Sequence, residues 1–269
     1  MNTRPSVAVL GVGAMGEALV MGLLSAGWPP ADLALCVRRP GRLEELARST
    51  GATVGTDPRA AAAGKEVVVI SVKPRDVTAL LATMVGSIRA DQLVITFAAG
   101  VPTEVFENAM EGVPVVRAMP NTPALVRQAV TAMSGGRHAG PEHLEMAGAV
   151  LGAVGDVHLL DESLLDAVTA VSGTGPAYVF LLAEALTEAA IREGLPRDVA
   201  ETFVHQTVRG AGHLLTDTSL LPSELRAQVT SPGGTTAAAV HVLEERGFRA
   251  LVEDAVRAAA QRARELGGG

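Results

Sequence analysis

The chain contains very little cysteine and very few aromatic residues. Cys36 is the single cysteine among 269 residues, which excludes an intrachain disulfide and a zinc site built from cysteines. This usage fits a reducing compartment, and we expect the protein to be cytoplasmic. Aromatic residues make up 3% of the chain and the formal net charge is -7, so a surface that binds phosphate backbones or stacks bases is not expected. We therefore expect no nucleic-acid partner.

The chain also has few lysines and few long uncharged apolar runs. Glu17 interrupts the apolar run Val7–Leu24, and no other stretch of about 18 uncharged apolar residues occurs, so we expect no membrane span. Lys65 and Lys73 are the only lysines. The six histidines form no pair with the spacing of metal ligands, and we expect no metal. Hydrophobic residues make up 48% and charged residues 19%, which is the composition of a globular protein with a sizeable core.

Short apolar runs alternate with helical patterns over the first 160 residues. Val67–Ile70 is apolar at every position, which is typical of a strand buried on both faces of a parallel sheet. The alternation predicts an α/β fold, with a doubly wound, Rossmann-like dinucleotide-binding domain over residues 1–160. The predicted strands are Val7–Leu10, Leu33–Val37, Glu66–Val72, Leu93–Phe97 and Pro114–Met119, with Ala129–Met133 and Asp156–Leu160 as edge strands. The predicted helices are Ala14–Ala26, Arg42–Thr50, Asp76–Val85 and Thr103–Met110, and one that begins at Asp57 and Pro58.

Residues 161–269 show only helical patterns, which predicts an all-α C-terminal domain for substrate binding and dimerisation. Tyr178–Leu182 is apolar on every face of its helix, so it must be buried on all sides. Burial against a second subunit and burial in the centre of a monomeric bundle both remain open. The predicted helices are Glu162–Val171, Pro176–Glu193, Asp198–Leu215, Ser223–Val229, Thr236–Arg246 and Arg249–Leu266.

A glycine-rich turn directly follows the first predicted strand and opens the first helix. This Gly-x-Gly-x-x-Gly context is typical of a dinucleotide site, where free amides at the helix start face the pyrophosphate. Gly11 permits the tight turn, Gly13 allows close approach of the phosphate, and Gly16 lets the helix pack on the strand. The alternative is a glycine turn without a nucleotide. The candidate residues are Gly11, Val12, Gly13, Ala14, Met15 and Gly16.

The end of the second predicted strand indicates which nucleotide is bound. A site for NAD places an Asp or Glu there, whereas this chain has Arg38 and Arg39. Two guanidinium groups suit the additional phosphate of NADP, so we expect NADPH, with NADH as a possible substitute. Two solvated arginines at a helix start are the alternative interpretation.

Three further loops follow predicted strands and are expected to meet at the carboxyl edge of the sheet, where ligands bind. Their small residues and prolines would give rigid surfaces for the nicotinamide, although each loop alone is also compatible with ordinary loop chemistry. The candidate cofactor-binding residues in these loops are Ser71, Val72, Lys73, Pro74, Ala98, Ala99, Gly100 and Asn121.

A Ser-Pro-Gly-Gly turn stands out in the helical half, immediately before the helix predicted at Thr236. Backbone amides and hydroxyls at a helix start form a seat for an anion the size of a carboxylate. A helix cap that serves only the fold is the alternative. The candidate substrate-binding residues of this turn are Ser231, Gly233, Gly234 and Thr235.

Two stretches, Ser172–Phe180 and Leu225–Glu244, resemble the signatures of the pyrroline-5-carboxylate reductase family. The glycine turn, Val72–Pro74, Ala98–Gly100 and Arg117–Asn121 match in the same order, so the resemblance covers essentially the whole chain. It implies reduction of 1-pyrroline-5-carboxylate to proline by NAD(P)H, the last step of proline biosynthesis. It also implies intertwined homodimers built from the helical halves, often assembled into decamers.

The resemblance further implies roles for individual residues. The Thr236 hydroxyl would hydrogen-bond the ring nitrogen, the amides of Gly233–Thr235 would hold the carboxylate, and Glu162 and Gln228 would line the same pocket. Relatives often carry Asn before the arginine after the second strand, where this chain has Arg38, which favours NADP. Thr174 replaces a more common Ser, and we expect this change to be tolerated.

Two other functions share parts of this pattern. A hydroxyacid dehydrogenase has a similar opening turn but uses a lysine in its helical half, and this chain has no lysine after Lys73. Lys73 itself remains an alternative proton donor. A non-catalytic NADP-binding regulatory protein would keep the glycine turn but would have no reason to keep the seat at Gly233–Thr236.

Overall fold

The computed structural model of the protein describes residues 4–267 of the chain. Within these residues, eight strands form one sheet in the order β3-β2-β1-β4-β5-β6-β7-β8. The strands are β1 Val7–Leu10, β2 Leu33–Cys36, β3 Thr53–Gly55, β4 Val67–Ile70, β5 Leu93–Thr96, β6 Val115–Met119, β7 Ala129–Gly135 and β8 Gly155–Leu159. The first half is therefore α/β and Rossmann-like, as the sequence predicts.

Strands β1 to β6 are mutually parallel, but β7 runs antiparallel to β6. β8 is parallel to β7 and lies at the edge of the sheet. The prediction that Ala129–Met133 is an edge strand is wrong, because β8 covers its outer side. The opposite edge is β3, a three-residue strand that the sequence analysis did not predict.

Helices cover both faces of the sheet. Val7 and Val9 belong to one cluster of buried side chains, and Ala8 and Leu10 belong to a second cluster. Adjacent residues of β1 thus face opposite sides, and each side is packed with apolar groups. The helices of this part are α1 Ala14–Ser25, α2 Leu43–Thr50, α3 Pro58–Ala62, α4 Val77–Met84, α5 Thr103–Ala109 and α6 Pro141–Leu151.

Local signals in the sequence account for several helix ends. The Asp57 side chain accepts a hydrogen bond of 2.9 Å from the amide of Arg59 and caps α3, as predicted. Gly51 ends α2 with φ at 68°, a left-handed conformation that favours glycine. Both signals act over a few residues, so the sequence alone locates these two boundaries.

The second half of the chain is helical throughout, as predicted. Its elements are α7 Leu165–Val168, α8 Gly175–Arg192, α9 Arg197–Asp217, α10 Pro222–Gln228, α11 Thr235–Glu245 and α12 Phe248–Gly267. A single helix over Glu162–Val171 was the wrong prediction. A 3-10 turn at Glu162–Leu164 precedes α7, and a π-helical turn at Thr169–Gly173 follows it. The Thr174 hydroxyl bonds the carbonyl groups of Thr169 and Ala170 and so stabilises the wider turn.

The described residues divide into two compact units. One unit contains the residues up to Thr174 together with those from Ala258 on, and the other contains Gly175–Arg257. The predicted domain boundary between residues 160 and 161 stays a prediction, and residues 1–3 and 268–269 of the predicted domains lie outside the described residues.

Helix α8 exposes much of its apolar surface in the single chain. Phe180 is 62% exposed and Leu181 is 66% exposed, so the monomeric-bundle interpretation of Tyr178–Leu182 is wrong. Among the described residues, Glu162–Arg192 is the one helical stretch long and apolar enough to cross a membrane, with a mean hydropathy of 1.3. Helices buried in soluble proteins meet the same criterion, so the expected absence of a membrane span stays a prediction.

Candidate active site

The glycine turn lies where the direction of strand connection reverses. β1 has β2 on one side and β4 on the other, and the crevice beyond such a point is where nucleotides bind in open α/β sheets. The amide of Gly11 donates to the Cys36 carbonyl at 2.9 Å, which joins the turn to the end of β2. Helix α1 then begins at Ala14, and no side chain caps its first amides.

Each glycine of the turn meets a different constraint. Gly11 has φ at 94°, and a Cβ there would lie 2.7 Å from Val72 Cγ1. A Cβ on Gly16 would lie 2.8 Å from the Gly11 carbonyl oxygen, so only glycine lets α1 approach the turn this closely. A Cβ on Gly13 would meet no atom within 4 Å. The open space beside Gly13 is the space that a pyrophosphate would require, so these residues fit a dinucleotide.

Arg42 is part of this site, although no pattern in the sequence indicated it. Its guanidinium donates to the Val12 carbonyl at 3.2 Å and to the Glu17 carboxylate at 2.8 Å. One side chain thereby joins the glycine turn, helix α1 and the start of α2. The hydrogen bond to Glu17 raises the pKa of Arg42, which remains charged at any ordinary pH. Its position at a predicted helix start gave no signal that it would reach back to the turn.

Arg38 and Arg39 follow β2 and are exposed. Arg38 Nη1 lies 3.7 Å from Asp76 Oδ2, and Asp76 ends the loop that begins at Ser71. At 75% exposure the Arg38 side chain is free to meet a solvent-borne anion. Neither arginine is packed into the fold, which leaves both the phosphate-binding and the solvated interpretation compatible with the structure.

The loops after β4, β5 and β6 all leave the same edge of the sheet, because these strands are parallel. The Ser71 amide donates to the Leu10 carbonyl at 2.8 Å, which places the Ser71–Pro74 loop beside the glycine turn. Ala98 is buried, and Gly100 has φ at 76°. Asn121 is also buried, and its Oδ1 accepts a hydrogen bond of 3.1 Å from the Val130 amide, so this oxygen supports β7.

The predicted anion seat forms the start of α11 in the other unit. Gly233 has φ at 68°, and Gly234 is the N-cap, so no side chain caps the helix. The first amides of α11 are therefore available to an anion. Glycine is itself a common N-cap, so a turn that serves only the fold stays the alternative interpretation. Thr236 is half-buried in the first turn, while Gln228 and Ser231 are exposed.

A cluster of ion pairs holds the helices around this turn. Glu244 on α11 lies 3.2 Å from Arg226 on α10 and 2.8 Å from Arg249 on α12. The hydrogen bonds from Arg249 lower the pKa of Glu244 below its usual value. Because Glu244 stays ionised, α10 and α11, the helices on either side of the Ser231–Gly234 turn, remain linked at neutral pH.

Glu162 belongs to the first unit, not to the unit that carries Gln228 and Thr236. Its two carboxylate oxygens accept hydrogen bonds from the amide and the hydroxyl of Thr103, each at 2.8 Å. It also lies 3.4 Å from the buried guanidinium of Arg117. These groups occupy the Glu162 side chain, which the family resemblance placed in a substrate pocket.

Cys36 lies at the end of β2, next to the glycine turn. Burial, with a smaller contribution from Asp57, raises the pKa of its thiol from 9.0 to about 11. The thiol therefore stays protonated at neutral pH and is neither a nucleophile nor an acid in this site. In the stretch 4–267, no group of three or more His, Cys, Asp or Glu side chains is arranged to hold a metal ion.

The chain is similar to known proteins over nearly its whole length. Residues 162–266 match a family model described as pyrroline-5-carboxylate reductase dimerisation, and residues 6–100 match one described as NADP oxidoreductase coenzyme F420-dependent. Pyrroline-5-carboxylate reductase of Mycobacterium tuberculosis is 43% identical, over 97% of this chain and 96% of that protein.

Solved structures are similar over the same extent. A pyrroline-5-carboxylate reductase from Coxiella burnetii has a TM-score of 0.91 and 35% identity, and the match covers 99% of this chain and all of that one. Pyrroline carboxylate reductase of Plasmodium falciparum, solved with NADP bound, has a TM-score of 0.89 and 25% identity, over 98% of this chain and 99% of the other.

Proposed function

Because the chain belongs to the pyrroline-5-carboxylate reductase family, we propose that it reduces the C=N bond of 1-pyrroline-5-carboxylate to give proline, with NADPH as reductant. The observation that carries this proposal is the likeness along the whole chain, since a glycine turn alone would fit any reductase of this fold. The resemblance predicted from the sequence is confirmed at the level of the family.

The first unit would bind the cofactor. The open space beside Gly13 and the first amides of α1 would receive the pyrophosphate, and Arg38 and Arg39 would receive the additional phosphate of NADPH. The loops at Ser71–Pro74 and Ala98–Gly100 would flank the nicotinamide. When bound, the reduced nicotinamide supplies the hydride. Arg42 would fix the turn that receives the phosphates, because it binds both Val12 and Glu17.

The start of α11 would bind the substrate. The amides of Gly233 and Thr235 would hold its carboxylate, and the Thr236 hydroxyl would hydrogen-bond the ring nitrogen. The Gly234 amide donates to the Ser231 carbonyl at 3.0 Å and keeps the turn closed. Ser231 and Gln228 would border this seat. The carboxylate of Glu162 is occupied by Thr103 and Arg117, so Glu162 would act only through the loop that it anchors.

The protein would contribute mainly position and electrostatics. A cyclic imine is basic enough to be partly protonated near neutral pH, so no strong acid is needed on the protein. The helix amides would hold the carboxylate so that the C=N carbon faces the nicotinamide, and such positioning supplies much of the acceleration in reactions of this kind. Lys73 would be a phosphate-side residue of the loop after β4, not the proton donor.

The matched dimerisation model supports an oligomer. We propose a homodimer formed by the helical half, with the decamer as a higher assembly, and a cytoplasmic location. The exposed apolar surface of α8 supports the dimer, because an isolated chain would leave it in water. We also propose the division of labour between residues 1–160 and 161–269, which the separate matches at 6–100 and 162–266 support.

A steady-state assay tests the proposal. We expect NADPH absorbance to fall when 1-pyrroline-5-carboxylate is added and proline to form in equal amount, with NADH used less efficiently. A hydroxyacid with NADP is the matched control for the dehydrogenase alternative, and no turnover is expected. Tight NADPH binding without turnover of either substrate would instead support a regulatory protein and contradict the proposal.

A further inference from the structure

A buried charge lies within the sheet, outside the residues assigned above to cofactor or substrate. Arg117 is on β6, its register partners are Thr96 of β5 and Ser134 of β7, and its side chain is 5% exposed. An unpaired guanidinium at such a depth would be strongly destabilising, and an apolar side chain would fill the same volume at lower cost. The charge therefore requires an explanation beyond packing.

Two carboxylates from one short segment face this guanidinium. Arg117 Nη2 lies 3.0 Å from Asp166 Oδ1, and Nη1 lies 3.4 Å from Glu162 Oε1. Glu162 and Asp166 are four residues apart across the 3-10 turn and α7, which places both on the same side. The two Nη atoms of the guanidinium each face one carboxylate. A lysine has a single ammonium group and could not present one nitrogen to each acid.

Glu162 extends this network to the loop after β5. It accepts hydrogen bonds from both the amide and the hydroxyl of Thr103, the first residue of α5. The N-cap of α5 is Pro102, which has no capping side chain, so Glu162 takes the place of a cap from a distant part of the chain. The far end of the loop 97–102 is therefore attached to Glu162.

The near end of the same loop is attached to the sheet. The Ala98 amide donates to the Thr96 hydroxyl at 3.2 Å, and Thr96 is the residue of β5 that pairs with Arg117. The loop thus starts beside Thr96, which pairs with Arg117, and ends at Thr103, which Arg117 reaches through Glu162. Between these two points lie Ala99 and Gly100, and Gly100 is held at φ of 76°.

We propose that Arg117 is a positioning residue for hydride transfer, which acts through Glu162 and Thr103 to hold the Ala98–Gly100 loop at a fixed height above the sheet. This inference rests on the proposed function, in which that loop flanks the nicotinamide. Small errors in the alignment of reacting groups cost much rate and little binding energy, so the network should govern turnover more than cofactor affinity.

Three variants test the network. Arg117→Lys keeps the charge but loses the fork, and Thr103→Val keeps the shape but removes the hydroxyl that bonds Glu162. For both we expect kcat to fall by about tenfold or more while the Kd of NADPH, measured by its fluorescence, changes by less than about threefold. Thr103→Ser restores the hydroxyl and should recover most of the lost kcat.

Arg137→Ala is the matched control. Arg137 pairs with Glu107, a buried residue further along the same helix α5, so its removal weakens the attachment of α5 without touching the loop. Thermal unfolding should show a loss of stability in Arg137→Ala similar to that in Thr103→Val, but with little loss of kcat. Equal kcat losses in Arg137→Ala and Thr103→Val, or a parallel loss of kcat and NADPH affinity in the two network variants, would overturn the proposal.

Hydrogen exchange gives a readout that is independent of activity. In Glu162→Gln without nucleotide, we expect faster exchange of the amides between Ala98 and Thr103, and no such change there in Arg137→Ala. Unchanged exchange in Glu162→Gln would overturn the positioning role alone. A wild-type chain that binds NADPH but does not reduce 1-pyrroline-5-carboxylate would overturn the proposed function, and with it the assignment of this loop to hydride transfer.

Discussion

The first turn of α11 carries two chemically similar side chains, Thr235 and Thr236, with different proposed roles. Thr235 would contribute its backbone amide, whereas Thr236 would contribute its hydroxyl to the ring nitrogen. We expect Thr236→Ala to lower kcat by about 10- to 100-fold, as the loss of one hydrogen bond to a reacting group does. Thr235→Ala keeps the amide and is the matched control in steady-state assays. Equal losses in the two variants would contradict the assignment.

Arg38 and Arg39 should decide which nucleotide is used. Replacing both with Ala removes two charge-assisted contacts to the additional phosphate of NADPH, a group that NADH lacks. We expect the Kd of NADPH to rise by about tenfold or more and that of NADH to change little. Arg48→Ala, an exposed arginine on α2, controls for the loss of positive charge alone. Equal weakening of both nucleotides would refute the phosphate contact.

Cys36 predicts a measurable dependence of stability on pH. The folded state raises the pKa of its thiol from 9.0 to about 11, so its contribution to stability is complete below pH 9 and is lost as the pH rises toward 11. Across this window the free energy of unfolding should fall by up to about 2–3 kcal/mol more in the wild type than in Cys36→Ala. Urea unfolding at pH 8 and near pH 11 measures the difference, and parallel curves would contradict it.

At the scale of elements, strands and helices with strong local signals were predictable. The continuous apolar run at Val67–Ile70 and the terminating glycine at position 51 act locally, so the sequence alone locates them. β3 is three residues long, and α6 has the small residues Ala147–Ala149 in its middle, so neither presents a clear periodic pattern. The antiparallel direction of β7 depends on the turn at Thr122–Val126, whose geometry no periodicity encodes.

Contacts between distant elements were not predictable in the same way. The glycine turn and the seat at Gly233–Thr236 are each built from consecutive residues, so the sequence could predict their geometry. The roles of their side chains stay predictions. Arg42 and Arg117 act through partners 25 to 49 residues away, and no local pattern gives those pairings. The use of Glu162 as a distant helix cap belongs to the same class.

The link from Arg42 to the glycine turn gives a prediction at the scale of these elements. Arg42→Gln should loosen the turn that receives the pyrophosphate, a group common to both nucleotides. We therefore expect NADPH and NADH to bind more weakly by a similar factor, about three- to tenfold. Fluorescence titration with each nucleotide checks this. A loss confined to NADPH would instead assign Arg42 to the additional phosphate.

At the scale of the whole molecule, the apolar surface of α8 predicts the assembly. Phe180 is 62% exposed in the single chain and would be buried by a second copy. Phe180→Glu should convert the oligomer to a monomer in sedimentation velocity, because a charge cannot be buried there without a partner. Val85→Glu is the control, since Val85 is equally exposed but lies beside α4 in the sheet unit. An unchanged sedimentation coefficient for Phe180→Glu would exclude this surface from the interface.

The same exposed helix sets an order of events during synthesis. A newly released chain carries a water-facing apolar row until it meets another, and the rate of that encounter rises with the square of chain concentration. At low expression, chaperones and proteases compete with pairing for the unpaired chain. The smallest amount of this protein that a cell can maintain is therefore governed by how quickly chains find each other, and not only by how well each one folds.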